Sequence, residues 1–145
     1  MISWITPDLA CCSMHDDFPN GVKVFSVLDL KDGWNDPFLI YLKAKRILPY
    51  LLQLNKVVLF CHAGLSRSPG IAALLMAYLN KTTWDEAYQR YIKPTVPRSF
   101  VNMDFRDACI EALKILEACP KKCAYCTSPI EEWEEVCELC WNLKK

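Results

Sequence analysis

The chain has 145 residues, 52% of them hydrophobic, with seventeen basic and seventeen acidic side chains. That composition supplies one modest core and excludes a disordered chain. The cancelling charge leaves no bulk field to draw the protein to nucleic acid or a membrane. The opening MISWITPDLACC carries no basic segment ahead of an apolar stretch, and the longest apolar run, Ile71 to Leu79, is far short of a membrane span. The reading is a soluble cytoplasmic protein, whose nine cysteines serve metal binding or catalysis rather than a disulfide framework.

Residues 22 to 30, VKVFSVLDL, are rich in β-branched and aromatic side chains and predict a strand. KDGWNDP then breaks the pattern. Asp36 before Pro37 is a capping side chain ahead of a first-turn proline, and Phe38, Leu39, Leu42 and Ile47 continue as a helix toward Asn55 that Pro49 should kink or divide. Residues 57 to 61, VVLFC, have the length and apolar character of a central strand covered on both faces. Pro69 opens a buried helix, PGIAALLMAYLN, and Thr83 with Glu86 makes a capping box for another near residues 84 to 92. Ser99 is in place to cap a last helix in which Val101, Phe105, Ala108, Cys109, Ala112, Leu113 and Leu116 recur at helical spacing. Alternating strands and helices imply a small α/β sandwich.

Between VVLFC and the next helix runs FCHAGLSRSPG, residues 60 to 70. A loop joining a buried strand to a helix N-terminus gathers backbone N–H groups at the positive end of the helix dipole, which suits an anion such as phosphate. Ala63 and Gly64 let the backbone curl closely, and Arg67 offers a planar fork for two phosphate oxygens. The same positive surroundings lower the pKa of Cys61 from about 8.5 toward a thiolate nucleophile. Two plainer readings compete: a buried strand-end cysteine beside a surface arginine, and a cradle that binds phosphate without turnover.

Cys61-His62-Ala63-Gly64-Leu65-Ser66-Arg67-Ser68 resembles the CxxGxxRS signature of cysteine-dependent protein tyrosine phosphatases, most closely the dual-specificity branch, and the likeness covers roughly residues 22 to 118. The resemblance implies an α/β fold with a small central, mostly parallel sheet flanked by helices. It also implies a two-step reaction. Cys61 attacks phosphorus to give a phosphocysteine, while His62, Ala63, Gly64, Leu65, Ser66 and Arg67 hold the phosphoryl group and Ser68 stabilises the departing thiolate. The implied substrate is a phosphorylated protein or peptide bearing phosphotyrosine, with phosphoserine and phosphothreonine admitted by an open pocket, and catalysis needs no cofactor. Relatives of the fold also act on RNA 5′-phosphates and phosphoinositides, which the neutral net charge disfavours. Phe60 stands where most of the family has histidine. Where that histidine holds the loop and lowers the thiol pKa, its absence predicts a Cys61 less acidic than is usual in the family, with His62 as a solvent-facing substitute or polar filler.

In this family an aspartate on an upstream loop protonates the leaving oxygen. Asp29, Asp32 and Asp36 lie together in LDLKDGWND. Asp29 falls inside the strand pattern and Asp36 has a capping role, so Asp32 is favoured as the acid, with Asp36 second and a plain Asp-Gly turn as the structural alternative.

Composition shifts at Pro120. Cys123, Cys126, Cys137 and Cys140 form CxxC, ten intervening residues and CxxC, a set of thiolates that suits a closed, tetrahedral, structural Zn2+. Residues 119–145 are therefore read as a zinc module after a phosphatase domain of residues 1–118, with its second cysteine pair on a helix and its surface open to a protein partner. The competing reading continues an apolar stripe with Ile130 and Trp133. Cys109 fits the helical core stripe, Cys11 and Cys12 read as small hydrophobes or as traps for an oxidised Cys61, and Cys119 as a substitute ligand. The rival to an enzyme is a phosphate-reading adaptor, favoured by Phe60. A sulfur-transfer or arsenate-reducing enzyme would leave Arg67, Ser68 and the upstream aspartate unexplained.

Overall fold

The computed structural model describes residues 2–144. β1 (Ser3–Thr6) and β2 (Leu9–Ser13) form an antiparallel hairpin, β3 (Lys23–Ser26) is an edge strand, and β4 (Val57–Cys61) lies between β2 and β3, parallel to both. The sequence pattern alone gives no strand over the first thirteen residues, because stretches of four and five residues are too short for periodicity to register. Pairing with β4 makes LACCS a strand, in register from Leu9 opposite Val57 to Ser13 opposite Cys61. β3 ends at Ser26 rather than Leu30. Val27 N–H still reaches Phe60 O at 2.9 Å, but Leu28 N–H turns back onto Ser26 Oγ at 3.1 Å.

α1 (Pro37–Leu52) starts as its sequence requires, with Asp36 Oδ1 accepting from Phe38 N–H at 3.0 Å. It neither divides at Pro49 nor reaches Asn55. An interior proline costs about 3 kcal/mol, and burial of Tyr41, Ala44, Ile47, Leu48 and Leu51 along one face offsets that cost. α2 (Arg67–Asn80) begins two residues before Pro69, which sits in its first turn. α3 (Trp84–Ala87) is capped by Thr83 as the sequence indicates, then widens into a π-helical turn over Tyr88–Ile92. α4 (Met103–Glu117) is capped by Asn102, whose Oδ1 accepts from Asp104 and Phe105 N–H. Ser99 is not the cap, because its hydroxyl is committed to Tyr88 Oη at 2.7 Å.

The main core lies between one sheet face and the helices, joining Leu9, Cys11, Val57, Leu59 and Cys61 to apolar residues of α1, α2 and α4. The opposite face carries a smaller cluster of Ala10, Cys12 and Val58 with Ile2, Val22, Val24 and Phe60, and no residue of that cluster belongs to a helix. β4 is thus buried on both faces, with its helical cover on one. The chain ends in a two-stranded ribbon, β5 (Lys121–Lys122) with β6 (Pro129–Ile130), and α5 (Glu138–Lys144). This segment packs on α1. The Tyr41 hydroxyl donates to the Glu131 carboxylate, Lys45 pairs with Glu134 at 2.6 Å, and Gln53 Nε2 donates to Cys140 Sγ at 3.4 Å. Among the described residues no helix is long and apolar enough to cross a membrane.

Candidate active site

Cys61 is the last residue of β4, buried at the floor of a loop that runs to Ser66, the N-cap of α2. Its Sγ faces Gly64 N–H at 3.3 Å, Ser68 N–H at 3.5 Å and Ser68 Oγ at 3.4 Å. Burial pushes the thiol up, but the Ser68 hydroxyl and the N–H groups of Ser68, Gly64 and Ser66 outweigh it and hold Cys61 below its ordinary value. Phe60 takes no part in this balance. Adjacent strand residues face opposite ways, and the Phe60 ring packs against Phe18, 5.3 Å between centroids, on the far side of the sheet.

Gly64 has φ +74° and its Cα presses on β2: a Cβ there would stand 2.7 Å from the Cys12 carbonyl carbon and 2.8 Å from its oxygen. Only glycine meets both demands. Met14 N–H fixes the strand end through Cys61 O at 2.8 Å. Ala63 and His62 are exposed, and the His62 ring meets His15 edge-on at 5.5 Å. Arg67 uses Nη1 to donate to Leu30 O at 2.9 Å and Leu28 O at 3.4 Å. Its Nε and Nη2 make no hydrogen bond to the described residues, so one edge of the guanidinium anchors the aspartate loop and the other is open to two oxygens of an anion.

Asp32 comes to the rim of the Cys61 loop, where its Oδ1 accepts from Ser66 Oγ at 2.6 Å. Asp29 instead pairs with Lys43 at 2.8 Å, and Asp36 is committed to its cap. Two supports have no distinguishing sequence signal. Asn35, 6% exposed, closes the aspartate loop through Lys31 N–H and O and Gly33 O. Asn102 N–H donates to Ser66 Oγ at 3.2 Å, so the entry to α4 steadies the same serine that holds Asp32.

The tail gathers a second constellation. The sulfurs of Cys123, Cys126, Cys137 and Cys140 lie within 4.8 Å of one another and all four residues are buried. A tetrahedral S4 site with metal–sulfur bonds near 2.3 Å sets sulfurs about 3.8 Å apart, and Cys126 and Cys137 stand 3.6 Å apart. Burial raises Cys123, but N–H groups of Cys126, Cys137 and Tyr125 bring it down to about 6, while burial and the neighbouring sulfurs push Cys140 up. Four thiolates this close need a cation, so the donor set fits a structural metal site. Cys137 precedes α5 and Cys140 lies within it, so the second pair straddles the helix start.

No protein-family model and no curated protein sequence matches the chain. Solved structures do. A leucine-rich repeat and phosphatase domain containing protein from Entamoeba histolytica is 15% identical, with TM-score 0.66 over 83% of this chain and 96% of its own. A mouse putative dual specificity phosphatase complexed with zinc tungstate is 13% identical, with TM-score 0.67 over 81% and 89%. The human tyrosine phosphatase-like serine/threonine/tyrosine-interacting protein is 14% identical, with TM-score 0.66 over 81% and 98%. The chain therefore has the α/β fold of the tyrosine and dual-specificity phosphatases, a sheet flanked by helices. That fold is common to proteins described as phosphatases and to one described as phosphatase-like, so activity is argued from the site.

Proposed function

We propose that the protein is a phosphoprotein phosphatase that hydrolyses phosphotyrosine, and phosphoserine or phosphothreonine, through a phosphocysteine. The observation that carries this is the Cys61 sulfur ringed by Gly64 N–H, Ser68 N–H and Ser68 Oγ at the mouth of α2, with Arg67 alongside. The Cys61 thiolate forms a bond to phosphorus as the ester P–O bond breaks, and the leaving oxygen takes the proton of Asp32. The loop N–H groups and Arg67 carry the charge on the equatorial oxygens. Water, giving its proton back to Asp32, then displaces the sulfur as inorganic phosphate leaves, and Ser68 Oγ–H stabilises the returning thiolate.

Residues 119–145 are, in the same proposal, a module folded by Zn2+ on the four cysteines, with exposed Trp133 and Trp141 available to a protein partner. Nine cysteines, all unpaired, fit the reducing cytoplasm. The competing reading is a phosphate-binding adaptor, supported by the likeness to a phosphatase-like protein. Hydrolysis of an aryl phosphate by the unaltered protein, Cys61→Ser and Arg67→Lys across a pH series separates the two. Turnover abolished by Cys61→Ser and reduced at least about a hundredfold by Arg67→Lys is the expected result. Phosphate binding without turnover in the unaltered protein would leave the adaptor.

A further inference from the structure

We infer that Phe100 is a specificity-determining residue that reads an apolar side chain next to the phosphorylated residue of a peptide substrate. The inference rests on the reading above only in taking the Cys61 loop to hold the substrate's phosphoryl group. Phe100 is 79% exposed although its neighbours are inside, Ser99 at 1% and Val101 at 8%. Turning its ring inward would eject one of them, and Ser99 is held by Tyr88 and by Lys93 Nζ, which donates to Ser99 O at 2.8 Å. The backbone is fixed to the phosphate loop itself, since Phe100 N–H donates to Leu65 O at 2.8 Å and Asn102 N–H to Ser66 Oγ at 3.2 Å. A large ring is therefore locked in water at the edge of the loop, beside exposed Leu65 and three residues from exposed Met103.

Single apolar side chains on a surface need no explanation. These three belong to two segments hydrogen-bonded to each other at the place where a bound phosphoryl group must carry its substituent out to solvent. The carboxylates of Asp104, exposed beside Met103, and of Asp32 on the facing loop oppose an anionic bilayer and favour a peptide as that substituent.

The test measures kcat and KM for the unaltered protein, Phe100→Ala and Phe100→Leu. The substrates are two phosphotyrosine peptides that differ only in leucine or aspartate next to the phosphotyrosine, and p-nitrophenyl phosphate. The expected result is about a tenfold preference of the unaltered protein for the leucine peptide, the size of one well-filled apolar contact. Phe100→Ala abolishes that preference chiefly through KM and leaves p-nitrophenyl phosphate within about twofold, while Phe100→Leu keeps most of it. Equal loss on p-nitrophenyl phosphate would make Phe100 a prop for the loop and overturn the inference, as would an unaltered protein indifferent to the neighbouring residue. A loss confined to a long-chain alkyl phosphate in neutral micelles would replace the peptide by a lipid and overturn it too. If the unaltered protein hydrolyses nothing, the phosphatase reading fails alone, and the affinities of the same two peptides, read by fluorescence anisotropy, still decide the role of Phe100.

Discussion

Ser68→Ala should raise the pKa of Cys61 and slow its thiolate reactions on the acidic side by about tenfold. The hydroxyl lies 3.4 Å from Sγ and, when the sulfur is ionised, is its donor. Burial is the largest influence on Cys61 and works against the thiolate, so the lowered value depends on the donors, of which Ser68 Oγ is the foremost. A hydrogen bond to a charged group contributes about 1.5–3 kcal/mol, and about 1.4 kcal/mol is a factor of ten in an equilibrium. An oxygen-to-sulfur contact of this length belongs at the lower end, which gives the tenfold effect. Gly64 N–H and Ser68 N–H remain in the variant. The sign is fixed by charge: removing a donor disfavours the thiolate, so the acidic limb of kcat/KM moves to higher pH. Alkylation of Cys61 by iodoacetamide, followed across pH by mass spectrometry of the Cys61 peptide, reports the same pKa without turnover. An alkylation profile that coincides with that of the unaltered protein would refute the reasoning and assign the thiol's acidity to the backbone alone.

Asp32→Asn should slow hydrolysis of an alkyl phosphate by about a hundredfold and of an aryl phosphate with a good leaving group far less, because only the poor leaving group needs the proton. Asp29→Asn, which breaks the pair with Lys43, should affect both substrates equally and little; the reverse pattern would move the acid to Asp29. Elemental analysis of protein purified without chelator should find about one zinc per chain, the complement of a single four-thiolate site. Its removal should lower Tm by more than about 5 °C, since the tail's Glu131 and Glu134 bond Tyr41 and Lys45 of α1. Metal-free protein with an unchanged Tm would remove zinc from the fold.

The surroundings of the Cys61 sulfur were legible because they are contiguous: the sulfur and every donor to it lie between Cys61 and Ser68, so spacing alone brings them together. Where partners are distant in sequence, local signals mislead. Ser99 and Asn102 are both good caps, and the choice falls to Asn102 because Tyr88, eleven residues from Ser99, has already taken the serine hydroxyl. Pro49 is a helix breaker by any local rule, yet the buried face on either side of it keeps α1 whole. The place of Phe60 is set by strand parity, which turns it to the far face of the sheet against Phe18, a contact that the loop sequence alone does not show.

The tail shows the same division between composition and contact. The two CxxC pairs announce four thiolates, and the structure gathers all four. The shift at Pro120 suggests a boundary, but the interactions cross it: Tyr41, buried within α1, meets both Cys119 Sγ at 3.6 Å and the Glu131 carboxylate. A tyrosine hydroxyl buried there without Glu131 would lose its charged acceptor, at a cost of about 1–3 kcal/mol. Loss of the tail therefore falls on α1, which starts at Pro37, two residues after the Asn35 that closes the loop carrying Asp32.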